Sequence, residues 1–330
     1  MSVSPETARR LSGLALGAGG AALFSLKGII MKLAFAEGAT VEQILVIRMG
    51  IALPIYVIVG VLAFRANRRE VKAKTVALTA GLGVLSYYVC SWLDFTGLQY
   101  ISAQLERLIL FTYPTITALL AWAFLGDRLT WRHAAALVLS YGGVAILFGR
   151  EIQDLGPHAG LGAALVFTAA TLFACYITAS KPVIGQLGSR LFTSIAMSAA
   201  AIAILIHYSI VATIAPPPPV TPKILGYATF LALVATVAPS FMIAEAIARI
   251  GPGLASAVGG LGPMATAILA VVILGEPFGL AQAAALVLTV CGILLLTTVK
   301  GPTKANPARQ PDDPPPTPIR PSERLREPAP

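Results

Sequence analysis

From Leu11 to Val299 the sequence is a succession of apolar blocks, each close to the length that spans roughly 30 Å of hydrocarbon at 1.5 Å per residue. Backbone amides in lipid find no water, so each block must satisfy its own as a helix. The period-two alternation of a membrane β-barrel is absent. Charged residues make up only 12% of the chain against 56% hydrophobic, too little polar surface to coat a water-soluble globule.

Ten helices are predicted. They cover about Leu11–Phe35, Val41–Phe64, Val76–Leu98, Ser102–Leu125 and Arg132–Phe148, then Gly160–Ser180, Leu191–Ile214, Ile224–Ile247, Gly253–Leu274 and Leu280–Val299. Arg9 and Arg10 precede the first block as they would an export signal. The block nevertheless runs to about Phe35 with only Lys27 and Lys32 inside it, and no small-residue cleavage site follows a short apolar core, so it is read as a membrane helix. Pro216 to Pro219 form a stiff polyproline connection. From Gly301 the chain is Pro-rich and is expected to be disordered.

The net charge of +9 flanks the apolar blocks and forms no stripe with aromatic residues, which argues against nucleic acid. With the N-terminus in the cytoplasm, the inner segments collect Arg9, Arg10, Arg65, Arg68, Arg69, Lys72, Lys74, Arg128, Arg132, Lys181, Arg190 and Arg249. The outer loops keep only Arg150 and Lys223. The expectation is a multi-pass inner-membrane protein with both termini cytoplasmic. Cys90, Cys175 and Cys291 are isolated packing residues, and His133, His158 and His207 are scattered, so no metal or cofactor is expected.

A duplication lies in this pattern at an offset of 149 residues. Ala134–Leu139 and Ala283–Leu288 both read AAALVL; Pro114 precedes Gly126-Asp127 by the interval at which Pro263 precedes Gly275-Glu276. Leu23-Phe24 with Lys32, and Gly143, recur as Leu172-Phe173 with Lys181, and Gly292. The expected organisation is residues 1–150, residues 151–300 and the tail 301–330. Five helices per half is an odd number, so the second half enters from the opposite side and the repeats are inverted, a ground plan of secondary transporters.

The segment SAQLERLILFTYPTITALLAWAFLGDRL, Ser102 to Leu129, resembles the fourth-helix signature of the EamA-type drug/metabolite transporter superfamily, and Gly253 to Phe278 resembles it again. That resemblance covers about Leu11 to Val299. It implies a ten-helix fold whose central cavity is lined mainly by the first four helices of each half, with the fifth and tenth peripheral.

Charges inside the blocks are costly, roughly 2.5–3.5 kcal/mol each on insertion scales, and call for a reason. Lys27, Arg48, Asp94, Glu106 and Arg107 fall at similar depth in the outer half of the membrane, a layer confined to the first repeat. Asp94 and Arg107 lie six and seven residues either side of Tyr100, which suggests an ion pair, with Arg48 as partner for Glu106. Structural pairing and a substrate or proton-coupling site are both open readings. Lys32 is expected to snorkel outward, and Lys181 and Glu245 to lie near the cytoplasmic ends. Tyr88 and Tyr113 are candidates for the cavity wall, Tyr113 on one face with Glu106. Pro114 and Pro263 are expected to kink the fourth and ninth helices and to act as hinges, and Gly259, Gly260 and Gly262 to admit a close neighbour. The expected function is secondary active transport of a small polar or amphiphilic solute, anionic, zwitterionic or drug-like, with a proton or another coupling ion. A membrane-embedded enzyme or a channel is the alternative.

Overall fold

The computed structural model describes residues 5–66, 71–125, 130–259 and 262–297. Gly126-Asp127, Gly260 and the Pro-rich tail lie outside them. The chain folds as α1 (Pro5–Ala36), α2 (Val41–Ala66), α3 (Ala73–Gly83), α4 (Cys90–Leu98), α5 (Ala103–Leu110), α6 (Tyr113–Leu125) and α7 (Trp131–Leu155). It continues as α8 (His158–Leu187), α9 (Ser189–Ile214), α10 (Pro222–Ala232), α11 (Ala238–Gly259), α12 (Gly262–Leu274) and α13 (Leu280–Thr297). By length and composition, eight helical stretches of the described residues are able to cross a membrane. The apolar helices Gly262–Leu274 and Leu280–Leu295 are shorter. The outward faces carry Leu62, Phe124, Val272 and Leu280 exposed, which suits lipid and not water.

Two departures from regular helix divide the expected spans. A π turn over Val84–Val89 joins α3 to α4, and another over Leu233–Val237 joins α10 to α11. In each, the amide that closes the turn reaches five residues back, Cys90 to Leu85 and Ala238 to Leu233. Their starts, Val84 and Leu233, are 149 residues apart, the offset of the duplication.

The turn expected near 248–252 is instead wound as helix within α11, which satisfies its amides locally. The mid-helix kink expected at Pro114 is also replaced. The fourth span is interrupted at Phe111-Thr112, and Pro114 is the second residue of α6, whereas the two residues before α12, and so the surroundings of Pro263, lie outside those described. Proline lacks the N–H that a continuous helix would need there, whereas a first turn leaves that position unbonded anyway. At the first break, Thr112 Oγ1 donates to Ile109 O at 2.7 Å and Thr115 Oγ1 to Thr112 O at 2.6 Å. The helix therefore ends and restarts.

Packing between the halves is two-fold. The pair α1 with α11 recurs as α8 with α4, α3 with α9 as α10 with α2, and α6 with α8 as α12 with α1. The pairs α2 with α9 and α7 with α13 map onto themselves. Single residues repeat the relation. Gly13 faces Arg249 and Ile250, and Gly162 faces Tyr100 and Ile101, each partner displaced by 149. Gly143 lies against Ala285 and Thr289, while Gly292 lies against Ala136 and Ser140. A Cβ on Gly143 would stand 2.5 Å from Ala285 O, and one on Gly292 2.8 Å from Ala136 O, both backbone atoms that cannot yield cheaply. Gly143→Ala and Gly292→Ala are each expected to destabilise the protein by roughly 1–3 kcal/mol, the usual cost of overpacking. The check is the melting temperature in detergent. Unchanged values in both variants would mean α7 and α13 separate freely at this crossing.

Candidate functional site: a buried layer of charges

Four helices bring the charged residues together. α1 carries Lys27, α2 carries Arg48, and the antiparallel neighbours α4 and α5 carry Asp94, Glu106 and Arg107. The tight return at Gln99–Ser102 is held by Tyr100 N to Gly97 O at 3.0 Å and by the Ser102 cap, whose Oγ accepts from Leu105 N at 3.0 Å. Arg48, Asp94, Glu106 and Arg107 are all buried, and Lys27 nearly so.

The pairing differs from the one expected. Asp94 binds Lys27, Nζ to Oδ2 at 2.6 Å, and not Arg107. Equal depth on α4 and α5 set no common azimuth, and α1, packed against both, delivers the lysine between them. Arg107 turns toward the second half. Its Nη2 donates to Ser25 Oγ at 3.4 Å, and its guanidinium lies over Phe111, 5.0 Å from the ring centre. Ser25 Oγ in turn bonds Gly262 O at 2.9 Å, at the start of α12. Arg48 does not pair with Glu106 either. Its guanidinium lies 4.9 Å from the centre of the fully buried Phe95, the same ring that Lys27 Nζ approaches at 5.2 Å. Glu106 sits against Gly28, where an added Cβ would meet its Oε2 at 3.2 Å. Its charged neighbours are Asp94, Lys27 and Arg107.

Four buried polar atoms of this layer lack a hydrogen-bond partner among the described residues: Arg48 Nε, Asp94 Oδ1, Glu106 Oε1 and Arg107 Nε. Buried polar atoms in folded proteins are nearly always satisfied, so these four charged orphans make the layer the candidate site. The halves differ here completely. At the 149-residue offset, Lys27, Arg48, Asp94, Glu106 and Arg107 correspond to Tyr176, Met197, Ile243, Ala255 and Ser256.

Of the other candidates Tyr88 lies apart, while Tyr113 stays within electrostatic range of Arg107. Tyr88 packs on His207 of α9, ring centres 5.5 Å apart. The break at Phe111 removes the single helical face that was to join Tyr113 to Glu106. Tyr113 instead stands edge-on to Phe173 at 5.1 Å, in an aromatic group with Tyr176 and Tyr87. Glu245 accepts from Arg249 at 2.9 Å and from Arg190 at 3.4 Å, and the Arg249 bond holds its carboxyl below the usual range. Sequence reasoning missed Ser25 and Phe95, which carry no charge, and missed the reach of Glu276. The duplicated Gly-acid element was the one signal pointing to Glu276.

The sequence matches the EamA-like transporter family twice, over residues 11–149 and 160–298. It is 28% identical over 273 residues to the uncharacterised transporter YcbK of Bacillus subtilis (strain 168), covering 80% of this chain and 85% of that one. A shorter match, 29% over 85 residues, is to the uncharacterised transporter YvbV of the same organism; it covers 24% of this chain and 28% of that one. A solved crystal structure with 19% identity superposes with a TM-score of 0.58 over 86% of this chain and 96% of its own, a likeness of fold alone.

Proposed function

Because this chain belongs to the EamA-like transporter family, and is a multi-pass membrane protein, we propose that it moves a small anionic or zwitterionic metabolite across the membrane by alternating access. The observation that carries this reading is the one-sided charge layer. The second half, in which one continuous α11 stands where the first has α4, the Gln99–Ser102 return and α5, carries Tyr176, Met197, Ile243, Ala255 and Ser256 at the equivalent places, which supports a role for the charges beyond holding helices together. Residues that the architecture can do without, at a cost of several kcal/mol of desolvation, are there for a ligand. Lys27, Arg48 and Arg107 exceed Asp94 and Glu106 by one positive charge, which favours a carboxylate or phosphate-bearing solute. The carboxyl groups of Asp94 and Glu106 are the place for a proton or another coupling ion.

Ten spans, inverted repeats and cytoplasmic termini fit this mechanism. Two halves of like fold and opposite entry exchange conformations, which makes outward- and inward-open states close in energy. The break before Pro114 is the hinge at which α5 swings, and Pro263 is its counterpart by sequence in the second half. The chain contains no ATP-binding motif, so a gradient or exchange drives the cycle. The test is counterflow in proteoliposomes of purified protein, with panels of amino acids, carboxylates, phosphate esters and organic cations. Accumulation of a labelled anion or zwitterion is expected. Movement of organic cations alone would overturn the reading.

A further inference from the structure

The N-terminus of α5 is held from the other half of the molecule. Ala103 N and Gln104 N donate to the Glu276 carboxylate at 2.8 and 3.3 Å, and Gln104 Nε2 donates to Pro277 O at 3.2 Å. Ser102, one residue earlier, is held by α7: its amide donates to Glu151 Oε2 at 2.9 Å, and its hydroxyl donates to Glu151 Oε1. Glu276 is aimed by its glycine. Gly275 has φ +66°, donates to Val271 O at 3.2 Å, and lets the Glu276 amide fold back on Ala270 O at 3.1 Å. The carboxylate thus meets both the free amides and the positive end of α5. One turn along the same eight-residue helix are Glu106 and Arg107. Lys32 of α1 stands within electrostatic range of Glu276, Glu151 and Glu106 alike.

We infer that Glu276 is a positioning residue for the charge layer and the latch of its outer side, so that access from outside requires its release from Ala103 and Gln104. α5 is separated from α4 by the Gln99–Ser102 return and from α6 by the break at Phe111-Thr112. It therefore moves as one short lever, carrying the latch contacts at one end and two site residues along its length. A solute that draws Glu106 or Arg107 toward itself shifts the amides that Glu276 grips. The placement on the outer side rests on the proposed orientation.

The first arm of the test needs no substrate. In a chain with Cys90, Cys175 and Cys291 replaced, Ala103→Cys keeps the backbone amide and places a thiol in a fully buried position under the latch. A membrane-impermeant maleimide is applied to intact cells and to inside-out vesicles. Glu276→Gln puts an amide nitrogen against a donating amide, and is expected to raise labelling from outside about tenfold, the loss of one charge-assisted hydrogen bond. Glu276→Asp is expected to restore most of the protection. Equal labelling with and without Glu276→Gln, or a rise confined to inside-out vesicles, would overturn the inference while leaving transport itself untouched. A tenfold rise in a protein that moves no solute would instead uphold the latch and sink the transporter reading. Should Glu276→Gln fail to accumulate, Gln104→Cys with Pro277→Cys bridged by a short methanethiosulfonate linker supplies the second arm. Transport is expected to stop on bridging and resume on reduction, and undiminished flux when bridged would overturn the latch.

Discussion

Arg48→Met is expected to melt at or above the wild-type temperature and yet to lose transport by about a hundredfold. Arg48 is buried, its Nε has no hydrogen-bond partner, and it leans on Phe95 with no carboxylate bonded to it. Removing an uncompensated buried charge relieves a desolvation cost, and the second half already accommodates Met197, 1% exposed, at the equivalent place. Stability gained with function lost is the pattern of a binding residue. A hundredfold loss corresponds to about 2.7 kcal/mol at roughly 1.4 kcal/mol per decade, the usual size for one charged contact to a ligand. Glu106→Gln is expected to behave alike, inserting at normal levels and losing any dependence of transport on pH between about 5 and 8. Melting curves and counterflow on the same preparations provide the check. Full transport in both variants at normal protein levels would leave the layer as architecture and move the solute site elsewhere.

The second large effect is an asymmetry between the partners of the 2.6 Å pair. Lys27→Met strands Asp94 beside Glu106, two carboxylates in a buried site with their shared cation gone. Breaking a buried pair from one side costs about 3–5 kcal/mol, enough to remove most folded protein. Asp94→Asn costs less, because Lys27 retains Glu106 as a charged neighbour. The double variant Lys27→Met with Asp94→Asn is expected to recover folding relative to Lys27→Met alone, as Tyr176 and Ile243 already permit in the other half. Transport is expected to stay lost. The measurements are monodisperse yield and melting temperature for the four members of the cycle. Equal damage from both single variants would show that Glu106 does not share the lysine.

How far the sequence reached depends on what kind of information a position holds. Block length, the 149-residue duplication and the gathering of the charged residues of the first half are close to one-dimensional quantities, and all were legible. Azimuth was not: Asp94 and Arg107 stand equally far from Tyr100, yet partner choice was set by which face α1 presents, and that depends on packing such as Gly28 against Glu106. Pro114 announced a disturbance, but a kink and a break read alike until the Thr112 and Thr115 hydroxyls show where the carbonyls find their bonds. The π turns left no trace, because Val84–Val89 and Leu233–Val237 are as apolar as any other turn of these helices. The reach of Glu276 depends on a positive φ at Gly275, for which the residue type was only a hint.

The paired π turns also date an event. Such a turn accommodates one residue more than an α-helix of the same rise, and it turns everything beyond it by about 100°. Separate insertions in two already distinct copies would have had to fall at corresponding places, in a register that is otherwise ungapped. The simpler genealogy is that the ancestral five-helix gene carried the extra residue before it was doubled. The charges then belong to a later chapter, gained in one copy or erased from the other, on a backbone whose irregularity was already inherited.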